Sequence, residues 1–306
     1  MSKGWTKSDI GDLSGKVVIV TGANSGLGYE TCLALAEKDA TVVLAVRNLN
    51  KGLDAIDKIK VHYPNANLHA MSLDLNDLAS VKRFVESFKS KFNSLSILIN
   101  NAGIMAPPFQ QTKDGFESQV GVNYLGHFAL TGHLLDYLKK TPNSRVVSLG
   151  SLAAHKIKPE FHNFKGTKKY KALKYYGQSK LACMLFAKEL QYRFRQHQID
   201  SKSVACHPGI SQTNLFAKGS RKLTRKLTRT SLKLIGQEAE TGAYPILYAA
   251  TEARVRGGEY IGPDGRGGSK GDPIELDIID ELYNEHVACN LWKLSETLTG
   301  VTYNFK

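Results

Sequence analysis

The sequence has few cysteines and no long apolar run. Its 306 residues include four cysteines, Cys32, Cys183, Cys206 and Cys289, and no two of them form a C-x-x-C pair. This scatter predicts free thiols in a reducing compartment and gives no metal-binding spacing. No segment reaches about 18 uninterrupted apolar residues, and residues 1–14 lack the pattern of a signal peptide. We therefore expect a soluble, cytoplasmic protein without a bound metal.

Acidic residues are also fewer than basic ones. The sequence has 28 Asp and Glu against 41 Lys and Arg, which gives a formal net charge of +13. A surface this basic attracts anions such as phosphates, nucleic acid or anionic lipid. The sequence carries no recognisable nucleic-acid-binding motif, so we predict no nucleic-acid partner. It also lacks a Pro/Gly/Ser-rich linker and internal repeats, and its length therefore predicts a single domain over 1–306.

A glycine-rich segment follows the first β-branched run. Lys16 to Thr21 predicts a buried parallel strand, and a helix-compatible stretch begins after the segment T-G-A-N-S-G-L-G. A strand, a glycine loop and a helix together place a pyrophosphate on backbone N–H groups at the helix N-terminus. The spacing is G-x-x-x-G-x-G, and a plain tight turn is the alternative. The candidate cofactor-binding residues here are Gly22, Asn24, Ser25, Gly26, Leu27 and Gly28.

The second predicted strand, Thr41 to Val46, is followed by Arg47. No carboxylate lies between Val42 and Lys51. At this place an acidic side chain favours a free ribose 2′-hydroxyl, whereas an arginine accommodates a 2′-phosphate. The segment therefore predicts a preference for NADP(H), with NAD(H) as the second choice and a merely solvated arginine as the alternative interpretation.

Strand and helix patterns then keep alternating, which predicts an α/β fold with a doubly wound parallel sheet of about seven strands and helices on both faces. Asp74 and Leu75 follow the third strand, and Asn101, Ala102 and Gly103 follow the fourth. Ligands bind at this carboxyl edge, although Asp74 could equally cap the next helix. Phe116 to Leu138 predicts one long helix that contains Asn123, and Ile274 to Glu296 predicts a C-terminal helix after a loop at 257–272.

Tyr176 and Lys180 are four residues apart in a helix-compatible segment, so their side chains should share a face. A free tyrosine has a pKa of about 10, and a neighbouring cation should lower the pKa of Tyr176 towards the range useful for proton transfer. A pair with no chemistry is the alternative, because this spacing is common in helices.

The ordered set of motifs resembles the short-chain dehydrogenase/reductase family. It comprises T-G-A-N-S-G-L-G, L-D-L at 73–75, N-N-A-G at 100–103, Asn123, Ser151, Tyr176 with Lys180, and H-P-G at 207–209. Within the family, A-V-R-N-L-N-K-G and V-N-Y-L-G-H-F resemble the retinol-dehydrogenase-like and carbonyl-reductase-like branch. The resemblance implies a Rossmann fold whose cofactor and catalytic core covers 14–215.

The resemblance also implies the residue roles. A hydride moves between nicotinamide and a carbonyl carbon, Tyr176 acts as the acid or base, Ser151 binds the substrate oxygen, and Lys180 holds the nicotinamide ribose. Asn123 orders a helix kink and a water. The carboxamide end of the nicotinamide would meet Pro208, Gly209, Ile210 and Thr213. The sequence departs from the family pattern at two places. Gly150 precedes Ser151 where the family has a serine pair, which leaves Ser148 as the alternative to Ser151. Ser25 stands where many NADP-binding members carry a basic residue.

The resemblance further places a substrate lid at 211–236 and a cavity wall at 257–306. A basic, leucine-bearing run at 218–233 predicts either peripheral contact with an anionic membrane or a solvated lid helix. The expected partner is a small, lipophilic carbonyl or alcohol substrate, and a homo-oligomer is left open. A silent NADP-binding regulator of the same fold and a protochlorophyllide-reductase-like enzyme are the alternative functions.

Overall fold

An eight-stranded sheet forms the centre of the computed structural model, which describes residues 4–162, 164–166, 170–210 and 237–306. The strand order is β3-β2-β1-β4-β5-β6-β7-β8, and all neighbours are parallel except β7 and β8. The strands are β1 Val17–Thr21, β2 Thr41–Val46, β3 Leu68–Ser72, β4 Ile97–Asn100, β5 Ser144–Leu149, β6 Ser201–Cys206, β7 Tyr260–Pro263 and β8 Pro273–Glu275.

Helices cover both faces of this sheet, which confirms the predicted doubly wound α/β fold. They are α1 Gly26–Glu37, α2 Leu49–His62, α3 Leu78–Lys89, α4 Ser118–Val120, α5 Gly126–His133, α6 Leu135–Lys140, α7 Ala172–Gln196, α8 Ala239–Thr251, α9 Ile278–Leu282 and α10 Glu285–Thr299. No helix in the described ranges is long and apolar enough to cross a bilayer.

The central strand β1 is apolar up to its last residue, Thr21, because both of its faces are buried. In β1, Val18 and Val20 belong to one core with Leu35 of α1, whereas Ile19 belongs to the other core with Phe84 of α3. Successive side chains of a strand point to opposite faces, so a continuous β-branched run serves both layers. The continuous apolar run that predicts the first strand is therefore explained by the burial of both faces of β1.

The strand order reverses between β1 and β4, and this reversal fixes where a ligand can bind. From β1 the chain proceeds outwards through β2 and β3, then returns to place β4 on the other side of β1. The loops that follow β1 and β4 therefore diverge at the carboxyl edge and leave a crevice between them. Thr21 and Asn100, the last residues of these strands, lie at that crevice.

The long helix predicted over 116–138 is wrong, because the segment is broken twice. Residues Gly121–Leu125 form a turn of π-helix between α4 and α5, and Leu134 interrupts the helix again before α6. The carbonyl of Asn123, inside the π-turn, accepts hydrogen bonds from the side chains of His127 and Cys183. Side-chain donors that engage a helical carbonyl are a recognised cause of such irregularity.

The C-terminal prediction also needs correction, because Ile274 to Glu296 is not one helix. Pro273–Glu275 pairs antiparallel with β7, which makes the number of strands eight. The short α9 ends at Leu282, and Asn284 caps α10 by accepting a hydrogen bond of 3.0 Å from the backbone N–H of Val287. Edge pairing and a capping side chain therefore divide a segment whose apolar pattern alone indicates a continuous helix.

Candidate active site

The glycine loop between β1 and α1 forms one wall of the crevice. Gly22 and Gly26 have φ angles of 67° and 55°, in the left-handed region that favours glycine. A Cβ atom on Gly28 would lie 2.6 Å from the carbonyl oxygen of Gly22, so the close approach of helix and loop requires glycine there. The N-terminus of α1 thus opens onto the loop, where its free N–H groups can receive a phosphate.

The loop after β4 packs against this glycine loop. The side-chain amide of Asn101 donates a hydrogen bond of 2.7 Å to the carbonyl of Thr21, and the N–H groups of Asn101 and Ala102 both donate to the Thr21 hydroxyl at 2.9 Å. Asn101 Oδ1 is buried and has no hydrogen-bond partner in the part of the chain that the structure describes. A buried acceptor in such a cradle fits a ligand that brings its own donors.

Arg47 and Asp74 lie beyond the ends of β2 and β3. Arg47 is exposed and directly follows Val46, the last residue of β2. Asp74 Oδ1 accepts a hydrogen bond of 3.0 Å from the N–H of Asn76, and it is Asp77 that caps α3 by accepting from Ala79 and Ser80. The alternative reading of Asp74 as the helix cap is therefore wrong.

The buried Asn123 holds the opposite side of the site together. Its side chain accepts from the N–H of Ile104 at 2.8 Å and donates to the carbonyl of Ile104 at 3.0 Å. It also donates to the hydroxyl of Ser179 at 2.9 Å, and that hydroxyl donates to the carbonyl of Tyr176 at 2.8 Å. Asn123 therefore connects the loop after β4 to the turn of α7 that carries Tyr176 and Lys180.

Tyr176 and Lys180 line a cavity of about 160 Å³ at the carboxyl edge of the sheet. Both side chains are about 95% buried, and the Lys180 ammonium donates a hydrogen bond of 2.9 Å to the carbonyl of Leu149 at the end of β5. Within the described residues the cavity is lined by Asn101, Gly103, Met105, Leu149, Gly150, Ser151, Leu152, Ala153, Tyr176, Lys180, Pro208, Gly209 and Ile210. Strand ends and α7 thus converge on one space.

Ser151 lines this cavity, whereas Ser148 does not. Ser151 lies just beyond β5, and its hydroxyl accepts a hydrogen bond of 3.2 Å from the N–H of Ala153. Ser148 lies within β5 and its hydroxyl is buried. Of the two serines that the sequence leaves open, only Ser151 can therefore meet a molecule in the cavity.

The turn after β6 forms the remaining wall. His207 Nδ1 accepts a hydrogen bond of 3.2 Å from the N–H of Gly209, whose φ of 65° is left-handed. Gln237 braces the same turn, because its side-chain amide donates to the carbonyl of Pro208 at 2.8 Å and its N–H donates to the carbonyl of Ile210 at 2.9 Å. Thr213 and the basic run at 218–233 lie outside the described residues.

Sequence reasoning missed several residues that shape the site. Met105, Leu152 and Ala153 line the cavity but carry no polar atom that would single them out. Each follows a predicted site residue, Gly103 or Ser151, by one or two positions, and proximity to a strand end is the signal that could have identified them. The buried His127, which hydrogen-bonds to both Thr21 and the carbonyl of Asn123, was also missed.

Both the sequence and the fold of the chain are similar to those of known proteins. Residues 16–224 match the family model for short chain dehydrogenases. The chain belongs to the short-chain dehydrogenase family. This short-chain dehydrogenase is 43% identical over 302 residues to retinol dehydrogenase 11 of Homo sapiens, covering 98% of this chain and 91% of that one. It is 36% identical over 292 residues to retinol dehydrogenase 12 of Homo sapiens, covering 95% and 88%.

A solved structure also resembles this short-chain dehydrogenase along its whole length. The crystal structure of an uncharacterised protein from Mycobacterium paratuberculosis gives a TM-score of 0.81 at 36% identity and covers 99% of this chain and 100% of that one. The family membership makes the protein an oxidoreductase that acts on CH–OH or C=O groups and binds NAD(P)(H). The glycine loop, the α1 N-terminus and the unpartnered Asn101 Oδ1 fit that cofactor.

Proposed function

We propose that this short-chain dehydrogenase is an NADP(H)-dependent reductase or dehydrogenase of a small, lipophilic aldehyde, ketone or alcohol, with Tyr176 as its acid or base. The observation that carries the proposal is that Ser151, Tyr176 and Lys180 line one cavity together with Asn101 and the turn after β6. The similarity to retinol dehydrogenases supports a lipophilic substrate. Apolar walls at Met105, Leu149 and Leu152 are compatible with such a molecule.

In the proposed mechanism, residues of the protein transfer the proton and bind the substrate oxygen. When bound, the nicotinamide supplies or accepts a hydride at its C4 atom. In the reducing direction the Tyr176 hydroxyl gives its proton to the carbonyl oxygen, and in the oxidising direction the phenolate takes that proton back. Ser151 donates a hydrogen bond to the same oxygen. Lys180 lies on the Tyr176 face of α7 and can stabilise negative charge on the phenol oxygen.

The cofactor preference is proposed from Arg47. It is exposed directly after β2, where the adenosine ribose would lie, and a planar guanidinium can bind a 2′-phosphate through paired, charge-assisted hydrogen bonds. The nearest acidic residue in the sequence after Arg47 is Asp54, which belongs to α2. Between the end of β2 and Asp54 the chain therefore carries the cations Arg47 and Lys51 and no carboxylate, and Arg47 is the one that directly follows the strand.

The test is a screen in which the protein is mixed with NADPH and with retinal or one of a panel of other aldehydes, ketones and quinones. The fall in NADPH absorbance measures the oxidation of the cofactor. Turnover of at least one lipophilic carbonyl is the expected result. The matched control is Tyr176→Phe, which loses the proton donor but keeps the ring, so it should lose turnover by roughly 10²-fold or more and still bind NADPH. Inactivity towards the whole panel, or full activity of the Phe variant, would contradict the proposal.

A further inference from the structure

His127 lies on α5, away from the cavity, yet it joins two parts of the site. Its Nε2 atom is 2.9 Å from the hydroxyl of Thr21, at the end of β1, and its Nδ1 atom is 2.9 Å from the carbonyl oxygen of Asn123, in the π-turn. The ring is 96% buried. A single side chain therefore bridges the cofactor-binding loops and the segment that braces α7.

The hydrogen bonds around Thr21 determine which ring nitrogen carries the proton. A hydroxyl has two lone pairs and one hydrogen. Both lone pairs face N–H groups at 2.9 Å, that of Ala102 and that of Asn101, which it shares with the carbonyl of Ile99 at 3.0 Å; the hydroxyl hydrogen therefore remains for His127. The only other acceptor for that hydrogen among its described contacts is the carbonyl of Ile99, at a poor distance of 3.4 Å. His127 Nε2 must therefore accept, which leaves it unprotonated.

The same conclusion follows at the other ring nitrogen. The carbonyl oxygen of Asn123 can only accept, so Nδ1 must carry the hydrogen that joins them. A neutral ring with hydrogen on Nδ1 satisfies both contacts, whereas the opposite tautomer satisfies neither. Burial lowers the pKa of His127 to about 4, against an opposing effect of the Asn123 carbonyl, so the ring is neutral at physiological pH. A carbonyl oxygen has no hydrogen to pass on, so the hydrogen bonds from Thr21 through His127 to Asn123 cannot conduct a proton. They can only orient the residues that they join.

We infer that His127 is a positioning residue, which through its Nδ1–H tautomer locks the cofactor-binding loops to the helix that carries Tyr176 and Lys180. One arm acts through Thr21, whose hydroxyl holds Asn101 and Ala102. The other acts through Asn123, whose side chain holds Ser179 and thereby the catalytic turn of α7. The second arm rests on the proposed roles of Tyr176 and Lys180; the tautomer and the first arm do not.

Two substitutions separate the arms. In His127→Asn the side-chain amide can place a donor near the position of Nδ1, so the Asn123 contact is retained and the Thr21 contact is lost. In His127→Gln the longer side chain can place an acceptor near the position of Nε2, so the reverse holds. His133→Asn, a half-buried histidine at the end of the same helix, is the matched control.

We expect the Kd for NADPH to rise roughly tenfold in His127→Asn with kcat nearly unchanged, and kcat to fall roughly tenfold in His127→Gln with the Kd nearly unchanged. Cofactor fluorescence titration gives the Kd and steady-state kinetics with the best carbonyl of the panel gives kcat. Thermal unfolding identifies any variant that does not fold. Equal losses in both properties by both folded variants, or effects no larger than in His133→Asn, would refute the inference.

The proton position is tested in the unmodified protein and needs no substrate. Two-dimensional ¹⁵N–¹H spectra of the histidine rings distinguish the two neutral tautomers and the charged ring, and the His127 signal is the one that disappears in His127→Asn. An Nδ1–H signal at neutral pH supports the inference, and an Nε2–H or doubly protonated ring overturns it. If the protein reduces no carbonyl, the proposed function fails, while the tautomer and the NADPH titration still decide the role of His127.

Discussion

Lys180 donates a hydrogen bond of 2.9 Å from its ammonium to the carbonyl oxygen of Leu149, which ties the middle of α7 to the end of β5. Two residues after Leu149 the chain reaches Ser151, so this bond sets the position of the lysine relative to the serine across the cavity. Leu149 is the last residue of β5 and pairs with Cys206 at the end of the register with β6. Lys180 therefore has a structural contact in addition to its proposed catalytic role.

Replacing Lys180 with Met should affect both activity and stability. The variant loses the cation that lines the cavity together with Tyr176, and it leaves the Leu149 carbonyl without this donor. We expect kcat/KM to fall by roughly 10²-fold or more and the free energy of unfolding to fall by about 1–3 kcal/mol. Steady-state kinetics and urea unfolding measure the two effects. Lys188→Met is the control, because Lys188 is on the same helix and pairs with the exposed Asp280; it should change kcat/KM little.

Replacing Arg47 with Asp should reverse the cofactor preference. Loss of a charge-assisted contact to the 2′-phosphate should cost on the order of 1.5–3 kcal/mol, or roughly ten- to a hundredfold in affinity for NADPH. The new carboxylate can accept a hydrogen bond from the free 2′-hydroxyl of NADH. Titration of both cofactors against both proteins measures the change. If the unmodified protein already prefers NADH, the assignment of Arg47 is wrong.

The stability should fall in mild acid because of buried histidines. Burial lowers the pKa of His207 to about 3, with a smaller contribution from His155, whereas an unfolded histidine has a pKa of about 6.5. The unfolded chain therefore binds the extra proton first. This histidine's stabilising contribution is present above pH 6.5 and is lost as the pH falls towards its folded pKa, by about 1.4 kcal/mol per pH unit.

His127 behaves in the same way, since burial lowers its pKa to about 4. Urea unfolding between about pH 6.5 and 4 should give a steeper loss of stability for the unmodified protein than for His207→Gln, which keeps only one of these two groups. His62→Gln, an exposed histidine at the end of α2, serves as the control and should leave the slope unchanged. Equal slopes for all three proteins would show that His207 titrates normally in the folded state.

The basic run at 218–233 predicts either binding to anionic membranes or a solvated lid helix, and vesicle binding distinguishes the two. Its cations are Lys218, Arg221, Lys222, Arg225, Lys226, Arg229 and Lys233, and each is expected to contribute about 1 kcal/mol near a charged bilayer. Vesicles that contain phosphatidylserine should therefore co-sediment the protein at low salt, and replacement of several of these cations by Gln should abolish this. Failure of the unmodified protein to sediment would end the idea, and equal binding to neutral vesicles would show that charge is not the cause.

Local sequence was sufficient to locate the parts of the site whose geometry is local. The glycine loop depends on glycines a few residues apart that adopt left-handed φ angles, and the Tyr176–Lys180 pair depends on a shared helical face. Both are set by residues close together in the sequence, so the sequence alone indicates them. The parallel strands were likewise predictable, because burial on both faces demands continuous apolar runs. The limits of β2, Thr41–Val46, agree with the prediction at both ends.

Tertiary structure decided what depends on partners distant in the chain. The π-turn lies where the thiol of Cys183, 60 residues away in the sequence, donates a hydrogen bond to the carbonyl of Asn123. In a regular helix that carbonyl would accept only from a backbone N–H of the next turn. The contact between His127 and Thr21 spans 106 residues, and the choice of Ser151 over Ser148 depended on which hydroxyl faces the cavity. Hydrogen-bond partners brought together only by folding leave no periodicity in the sequence, so spacing alone could not indicate them; the family resemblance implied the kink at Asn123 and favoured Ser151, but it named none of these partners.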